Sequence, residues 1–273
     1  MDDQERWFFI VGCQRSGTTL LRLILDCHSQ IQCCDESVSY AVIAGRRPPP
    51  VQERPLLGMK IPCLTEQLAG SSLWDAFVLP EVPNFYCGQR ILFIVRDVRD
   101  TIASMLALRP HGRSWVDTHL LPCLRSKIRR DPAFKRRYAA DLAMLQDARH
   151  PRLARAAFYW RYKTDALFDY LDRGFPVLPL RYEDLTRQAE LELLRVCGFL
   201  RVPWETGLLH HPAFAHGELT EDEVAVGGTD PRRPIDTTSI DRWHDVFTGE
   251  QLEEILHVAG VAQARFYPEA VPS

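Results

Sequence analysis

Residues 7–22 join an apolar run, a loop with two glycines and a helical pattern without any spacer. The run from Trp7 to Val11 is typical of a buried parallel strand, and Gly12 follows it at once. From Thr18 onward the apolar residues recur at the spacing of one helical face: Leu20, Leu21, Ile24 and Leu25. A strand, a glycine turn and a helix in this order predict an α/β fold.

Four more short runs predict further strands: Ile31–Cys34, Gly58–Pro62, Ile91–Val95 and Val177–Leu180. Helical patterns separate and follow them, among others at Asp100–Leu108, Glu190–Cys197 and Gly249–Ala259. Strands that alternate with helices favour a parallel sheet covered on both faces. We therefore predict a P-loop-type parallel sheet flanked by helices. It forms a single domain over residues 1–273, with a helical insertion at about residues 109–172.

The loop at residues 12–19 has the glycine spacing of a phosphate-binding P-loop, G-x-x-x-x-G-K-[ST]. Backbone N–H groups of such a loop face an anion, and the following helix adds its positive dipole end. Thr18 stands where a kinase or ATPase has the lysine that neutralises a triphosphate, so Arg15 is the nearest strong cation. The loop therefore predicts a site for phosphate or sulfate. The candidate binding residues are Gly12, Gln14, Arg15, Ser16, Gly17, Thr18 and Thr19.

A second candidate anion site follows the strand at Ile91–Val95. Arg96 is the first residue past that strand, and ligands gather at the carboxyl ends of strands in open α/β sheets. Ser104 lies about two helical turns further on, so a guanidinium and a hydroxyl can converge on one phosphate. The alternative for this segment is a helix-capping salt bridge of Arg96 and Arg99 with the neighbouring aspartates.

Two anion sites that each follow a strand of one sheet imply a ligand with two separated anionic groups. The nucleotide 3′-phosphoadenosine-5′-phosphosulfate (PAPS) has a 5′-phosphosulfate and a 3′-phosphate, whereas ATP has a single phosphate cluster. The two sites therefore favour a ligand of the PAPS type.

Composition limits the other partners. The net charge of −3 provides no general attraction to nucleic acid or to an anionic membrane. The eight cysteines have neither zinc-site spacing nor the pattern of a disulfide framework, so we expect no metal. The N-terminus is acidic and polar, unlike a signal peptide, and no apolar run is long enough for a membrane span. We expect a cytoplasmic protein.

The motifs resemble those of the PAPS-dependent sulfotransferases, and most of all the branch of the tyrosylprotein sulfotransferases and their bacterial relatives. The shared segments follow the family's order: FIVGCQRSGTTLLR (9–22), GMK (58–60), FIVRDVRDTIAS (93–104), LRYEDL (180–185) and SIDRW (239–243). The resemblance implies transfer of a sulfuryl group from PAPS to an acceptor hydroxyl, which leaves the desulfated product PAP. The acceptor itself is not identified by these motifs.

The resemblance also implies roles for individual residues. For the 5′-phosphosulfate it implies four loop residues: Arg15, Gly17, Thr18 and Thr19. For the rest of the nucleotide it implies Arg96 and Ser104 at the 3′-phosphate, Tyr182 near the adenosine and Arg242 closing over the cofactor.

For catalysis, Glu36 matches the base of the tyrosylprotein branch, which follows the first helix at the same distance. Lys60 matches a lysine at the sulfuryl group, and with Arg15 it would stabilise the charge of an in-line displacement. Val38 stands where that branch has an arginine. Five histidines are alternative candidates for the base, because the sequence allows each of them to lie near the acceptor: His28, His111, His119, His210 and His211. The aromatic cluster at residues 158–162 forms either an acceptor pocket or, at its helical spacing, part of the core.

Two other functions fit part of the pattern. A nucleotide kinase-like phosphotransferase with an altered P-loop would bind ATP and depend on Mg²⁺. A non-catalytic protein that binds PAP or another nucleotide would keep the anion sites and transfer nothing.

Overall fold

The computed structural model describes residues 6–68, 89–214 and 230–268. Within these ranges the chain forms a sheet of five parallel strands: β1 (Trp7–Gly12), β2 (Ile31–Cys34), β3 (Leu56–Lys60), β4 (Arg90–Val95) and β5 (Val177–Arg181). Their order across the sheet is β2-β3-β1-β4-β5. The central strand is β1, in which Phe9 lies opposite Met59 of β3 and Ile91 of β4.

Helices surround this sheet. In chain order they are α1 (Thr18–Asp26), α2 (Glu36–Ile43), α3 (Thr65–Leu68), α4 (Val98–Ala107), α5 (Leu121–Arg130), α6 (Pro132–Arg137), α7 (Ala139–Met144), α8 (Pro151–Asp172), α9 (Tyr182–Arg187), α10 (Ala189–Leu200) and α11 (Gly249–Phe266). Short 3₁₀ turns add Pro62–Leu64, Pro110–Gly112, Thr206–Ala213 and Arg242–Asp245, and a π turn at Val116–Leu120 precedes α5. Among the helices described here, none has the length and apolar character that a membrane crossing needs.

Both faces of the sheet are buried. Phe9 and Val11 of β1, together with Phe93 of β4, pack into a core formed with α4, α8 and α11. Phe8 and Ile10 point the other way, into a core formed with α1, α9 and α10. Burial on both faces explains why β1 reads as a continuous apolar run and not as an alternating one.

The predicted α/β fold class is confirmed, and each predicted strand overlaps a strand of the sheet, although the one predicted at Gly58–Pro62 lies at Leu56–Lys60. Residues 109–172 contain α5 to α8, as the helical pattern predicts. The assignment of residues 1–273 to a single domain stays a prediction, and its ends at residues 1–5 and 269–273 lie outside the described residues.

Three elements differ from the sequence prediction. Neither α2 nor α9 is indicated by the sequence pattern, although both follow a strand directly. The last helix runs on to Phe266 and does not end near Ala259. It passes a kink at Gly260, where φ is 56° and ψ is −139°, and this is a conformation that glycine adopts without a steric penalty.

Candidate active site

The loop between β1 and α1, residues 12–19 and here called the glycine loop, contains three residues with positive φ. These are Gly12 at 139°, Arg15 at 74° and Gly17 at 99°. A Cβ atom at Gly12 would lie 2.2 Å from the carbonyl O of Ile94, and one at Gly17 would lie 2.4 Å from Cδ2 of Tyr182. The glycine spacing of the motif therefore follows from the close approach of β4 on one side and of the Tyr182 ring on the other.

Thr65, buried at the start of α3, anchors the beginning of the glycine loop. Its Oγ1 accepts the N–H of Gly12 at 3.0 Å and lies 2.8 Å from the carbonyl O of Gly12. The hydroxyl of Tyr170 in α8 donates to the carbonyl of Thr65 at 2.7 Å. The longest helix thus holds the loop through Thr65, a contact that no sequence motif indicates.

A cleft opens beside the glycine loop, and we call it the loop cleft. Eight of the predicted binding residues line it: Arg15, Gly17, Thr18, Thr19, Arg96, Ser104, Tyr182 and Arg242. They come from four separate parts of the sequence, and the carboxyl ends of β1, β4 and β5 bring most of them together. The structure therefore places both predicted anion sites in one cleft.

Two of the four arginines that line the loop cleft, Arg15 and Arg96, lie close together. Arg15 Nε donates to Ser104 Oγ at 3.1 Å, and Arg96 Nη1 donates to the carbonyl of Arg15 at 3.2 Å. The guanidinium carbon of Arg96 lies 4.7 Å from the centre of the Tyr182 ring. Burial first and the nearby charge of Arg96 second lower the pKa of Arg15 to about 10. An anion in this cleft would relieve the repulsion and replace the lost hydration.

The helix-capping salt bridge considered for this segment also exists, but it belongs to Arg99. Arg99 Nη2 lies 2.7 Å from Asp97 Oδ2, and Asp97 caps α4 by accepting the N–H of Arg99 at 2.8 Å. Arg96 takes no part in it, and its Nη2 donates to the carbonyl of Ser239. Arg99 thus forms the structural pair while Arg96 faces the cleft.

The segment that carries Arg242 is attached to α4 from the far end of the sequence. The carboxylate of Asp100 accepts the N–H of Asp241 at 2.8 Å and that of Trp243 at 3.2 Å. The guanidinium of Arg99 lies 4.2 Å from the centre of the Trp243 ring. These contacts on either side of Arg242 place it at the loop cleft.

Sequence reasoning missed three charged residues in the loop cleft: Asp230, Arg233 and Asp236. Arg233 and Asp236 both line it, and Arg233 Nε donates to Asp236 Oδ2 at 2.7 Å. Hydrogen bonding to Arg233 is the main reason that the pKa of Asp236 is well below its usual value. The run of two arginines at residues 232 and 233 was the available sequence indication.

A larger cavity, here called the side cavity, adjoins the loop cleft and has a volume of about 600 Å³. It shares three residues with the cleft: Arg15, Thr18 and Thr19. Its lining also includes both other predicted catalytic residues, Glu36 and Lys60. All three predicted catalytic residues therefore face one cavity.

Glu36 is the first residue of α2 and is fixed on both of its carboxylate oxygens. Asp35 caps this helix by accepting the N–H of Val38 at 2.8 Å. Glu36 Oε1 accepts the N–H of Cys63 at 3.2 Å, and Glu36 Oε2 lies 3.5 Å from Lys60 Nζ. The Lys60 side chain is 10% exposed and that of Glu36 is 33% exposed, so the pair lies between the interior and the cavity.

Three of the predicted binding residues lie away from the loop cleft. Gln14 lines the side cavity, where its Oε1 accepts the hydroxyl of Tyr159 at 2.9 Å. Gly12 and Ser16 are buried and line neither cavity. The N–H of Ser16 donates to the carbonyl of Cys13 at 3.2 Å, so its visible contribution is to the shape of the loop.

Of the five histidines considered as rival bases, His119 alone lines the side cavity. Its Nδ1 lies 2.9 Å from Thr118 Oγ1, and partial burial lowers its pKa. His28 is fully buried, and its Nε2 lies 2.8 Å from the carbonyl O of Pro203. Glu36 and His119 are thus the two candidates that the cavity places near an acceptor.

The aromatic cluster at residues 158–162 divides between the two roles that the sequence allows. Tyr159 lines the side cavity, and its ring meets that of Trp115 edge to face at 6.3 Å. Phe158, Trp160 and Tyr162 are buried in the core on the α8 side of the sheet.

Fold and site together define a class of protein. A glycine loop that suits an anion, placed at the end of a parallel sheet beside a cavity with a carboxylate and a lysine, is an arrangement that fits a group-transfer protein. Such a protein binds an anionic donor in one site and a second molecule in the other.

Comparison with known proteins shows which family of that class the chain resembles. The model of the sulfotransferase family matches residues 8–67. A putative protein-tyrosine sulfotransferase of Caenorhabditis briggsae is 22% identical over 275 residues, which cover 93% of this chain and 86% of that protein. Protein-tyrosine sulfotransferase 2 of Gallus gallus is 23% identical, covering 97% of this chain and 70% of its own length.

Solved structures share the fold. The sulfotransferase domain from the curacin biosynthetic pathway matches with a TM-score of 0.54 and 17% identity, over 90% of this chain and 95% of that domain. A mouse sulfotransferase in complex with PAP matches with a TM-score of 0.52 and 15% identity, over 99% of this chain and 87% of its own. The family-model match, the protein-tyrosine sulfotransferase relatives and the sulfotransferase structures together support a sulfotransferase family member, and with it sulfuryl transfer in general. The predicted family resemblance is confirmed.

Proposed function

We propose that the chain transfers a sulfuryl group from PAPS, bound in the loop cleft, to a hydroxyl of an acceptor bound in the side cavity. The observation that carries this proposal is that the two sites share Arg15, Thr18 and Thr19. A donor and an acceptor that meet at these residues are close enough for direct in-line transfer. The PAP complex of the mouse sulfotransferase supports a nucleotide of this type.

For the donor, the glycine-loop amides and Arg15, with the hydroxyls of Thr18 and Thr19, bind the 5′-phosphosulfate. The remaining predicted contacts are Arg96 and Ser104 with the 3′-phosphate, Tyr182 with the adenosine and Arg242 as a cover. The nearby positive charges of Arg15 and Arg96 support a ligand with more than one anionic group.

For the reaction, PAPS supplies a sulfuryl group whose bond to the bridging phosphate oxygen breaks as the acceptor oxygen bonds to sulfur. Glu36 takes the proton of the attacking hydroxyl on a carboxylate oxygen. Lys60, whose Nζ lies 3.5 Å from Glu36 Oε2, stabilises the charge of the sulfuryl oxygens, and Arg15 stabilises that of the leaving phosphate. Glu36 then returns its proton to solvent, and the sulfated acceptor and PAP leave.

Titration calorimetry with PAP, with and without Mg²⁺, tests the donor, and sulfur-labelled PAPS tests the transfer. We expect PAP to bind equally well in both conditions and the label to appear on hydroxyl acceptors. ATP binding that requires Mg²⁺, without PAP binding, would identify a kinase-like phosphotransferase instead. PAP binding without transfer to any acceptor in a broad screen would identify a nucleotide-binding protein.

A Glu36→Gln variant tests the base. It removes the proton acceptor and keeps the size of the side chain, so turnover should fall by about 10²- to 10⁴-fold. PAP affinity should stay within about twofold of the unmodified protein, because Glu36 lines the side cavity and not the loop cleft. Initial rates and PAP calorimetry measure the two effects.

Glu53→Gln, at an exposed position, is the matched control and should retain full turnover. His119→Ala separates the rival base: if it abolishes transfer while Glu36→Gln does not, the histidine is the base and the assignment to Glu36 is wrong.

A further inference from the structure

Arg22 lies on α1 one turn beyond Thr18 and lines the side cavity. It is only 6% exposed, and its Nε atom is buried without a hydrogen-bond partner. Across residues 6–68, 89–214 and 230–268 the side chain of Arg22 forms no ion pair and no hydrogen bond. A buried guanidinium normally has such a partner, because losing its hydration without compensation is costly.

Among the described charged residues that line the side cavity, Arg22 is the one whose side chain lacks a partner in the protein. Four cationic side chains and two carboxylates of the described residues line the cavity, which leaves an excess of positive charge. The other charged groups each have a protein partner: Lys60 with Glu36, Arg46 over the Tyr40 ring, Arg15 with Ser104, and Asp35 with the N–H of Val38. An anion that enters this cavity therefore finds Arg22 without a competing carboxylate.

The same cavity has an aromatic wall. The rings of Trp115 and His119 are nearly parallel, at 8° with centroids 6.1 Å apart, and Tyr159 meets Trp115 edge to face at 86°. Flat aromatic surfaces of this kind bind planar rings well. The cavity volume of about 600 Å³ is within the range of small-molecule sites, about 300–1,000 Å³.

We infer that the acceptor is a small hydroxyaryl carboxylate, whose carboxylate binds Arg22 while its phenolic hydroxyl faces Glu36. The ring then lies along the Trp115 and Tyr159 wall. This inference rests on the proposed sulfuryl transfer and specifies its acceptor. Arg22 is a binding residue that determines acceptor preference, and the fork of its guanidinium suits a carboxylate.

Matched pairs of acceptors test this assignment: para-hydroxybenzoate, para-hydroxyphenylacetate and para-hydroxyphenylpropionate, each beside its primary amide. The three lengths allow for the span between Arg22 and Glu36. For the best of the three we expect kcat/KM at least about tenfold higher for the acid than for its amide, since a charged hydrogen bond is being exchanged for a neutral one. In calorimetry with the PAP-bound protein, each acid should likewise bind more tightly than its amide.

Arg22→Gln should reduce this preference to about twofold or less, and Arg22→Lys should retain part of it, because the lysine keeps the charge but not the fork. Arg46→Gln is the matched control, since Arg46 lines the same cavity but lies over Tyr40, and it should leave the preference intact.

The inference is overturned if the unmodified protein binds and sulfates acid and amide equally. It is also overturned if the preference survives in Arg22→Gln, or if neither compound binds the PAP-bound protein. Failure of the proposed function has a different signature. In that case PAP itself does not bind, or no sulfate is transferred from PAPS to any acceptor.

Discussion

Glu66 is a buried carboxylate that contacts two lysines behind the side cavity. Its Oε1 lies 2.9 Å from Lys127 Nζ and its Oε2 lies 2.5 Å from Lys163 Nζ. Burial alone would raise the pKa of Glu66, but the two ammonium groups and their hydrogen bonds outweigh it and lower the pKa. Lys163 also donates to the carbonyl of Cys63 at 2.7 Å, and the N–H of Cys63 holds Glu36. The buried cluster thus supports the proposed base.

A Glu66→Gln substitution should destabilise the fold, because it leaves two ammonium groups buried without their counter-ion. We expect the free energy of unfolding to fall by about 3–5 kcal/mol at pH 7. At pH values above 4.5, the usual pKa of Glu66, its lowered pKa stabilises the native state, and this contribution declines as the pH falls from 4.5 through the lowered pKa. The difference between the two proteins should therefore shrink between pH 7 and pH 4.

Urea unfolding at the two pH values measures this difference. Glu53→Gln, an exposed position, should match the unmodified protein at both values. A Glu66→Gln deficit of the same size at pH 4 and pH 7 would mean that the native state does not depend on the ionised form of Glu66.

The roles of single residues were predictable where the residues belong to a motif. They were not predictable where the role depends on burial of the side chain. Arg15 and Glu36 were assigned from their register in the motifs, and the side cavity contains both. Glu66 and Lys163 stand in helical patterns in which a charge normally predicts an exposed face, so their burial is invisible in the sequence. Arg22 ends the segment 9–22 that the chain shares with the sulfotransferases. That its Nε atom lacks a hydrogen-bond partner, however, is seen only in the folded structure.

Among the elements, α2 shows why a short helix can be overlooked. Its eight residues include two serines and three β-branched side chains, which lower helix propensity. Its start depends on the Asp35 cap, and its position depends on the strand before it. The longer α11 was predicted, but Gly260 reads as a helix end in sequence, whereas in the structure it only kinks the helix.

The glycine loop makes a prediction at the scale of an element. Gly17→Ala introduces a Cβ atom 2.4 Å from Cδ2 of Tyr182 at a φ of 99°, so the loop or the Tyr182 ring must move. Both line the loop cleft, and we expect PAP affinity to fall by about tenfold or more together with a stability loss of about 1–3 kcal/mol. Calorimetry and thermal unfolding measure these two losses.

Gly174→Ala is the matched control, because its φ is 73° but a Cβ atom there meets nothing within 4 Å. It should show backbone strain alone and bind PAP normally. If Gly17→Ala retains normal PAP affinity, the contact with Tyr182 does not determine the shape of the nucleotide site.

At the scale of the whole molecule, the strand order determines the site. β1 and β4 are neighbours in the sheet, so Arg15 and Arg96 reach the same cleft although β2 and β3 separate them in the chain. Each strand was predictable from its own apolar run, whereas the order depends on how the helices pack on the two faces. The junction of α4 with residues 241–243 was also not predictable, because the partners of Asp100 are backbone amides, which every residue has.

That junction makes the last prediction. Asp100 is 1% exposed and accepts the N–H groups on both sides of Arg242, so Asp100→Ala should release Arg242 from the loop cleft. PAP affinity should fall about tenfold, which at one saturating PAP concentration removes about 1.4 kcal/mol of ligand stabilisation. The gain in Tm on adding PAP should then be about 3 °C smaller than in the unmodified protein. Because the comparison uses the gain and not Tm itself, any loss of intrinsic stability cancels.

Asp245→Ala, exposed in the same turn, should keep the full gain. An undiminished gain in Asp100→Ala would show that Arg242 reaches the nucleotide without α4.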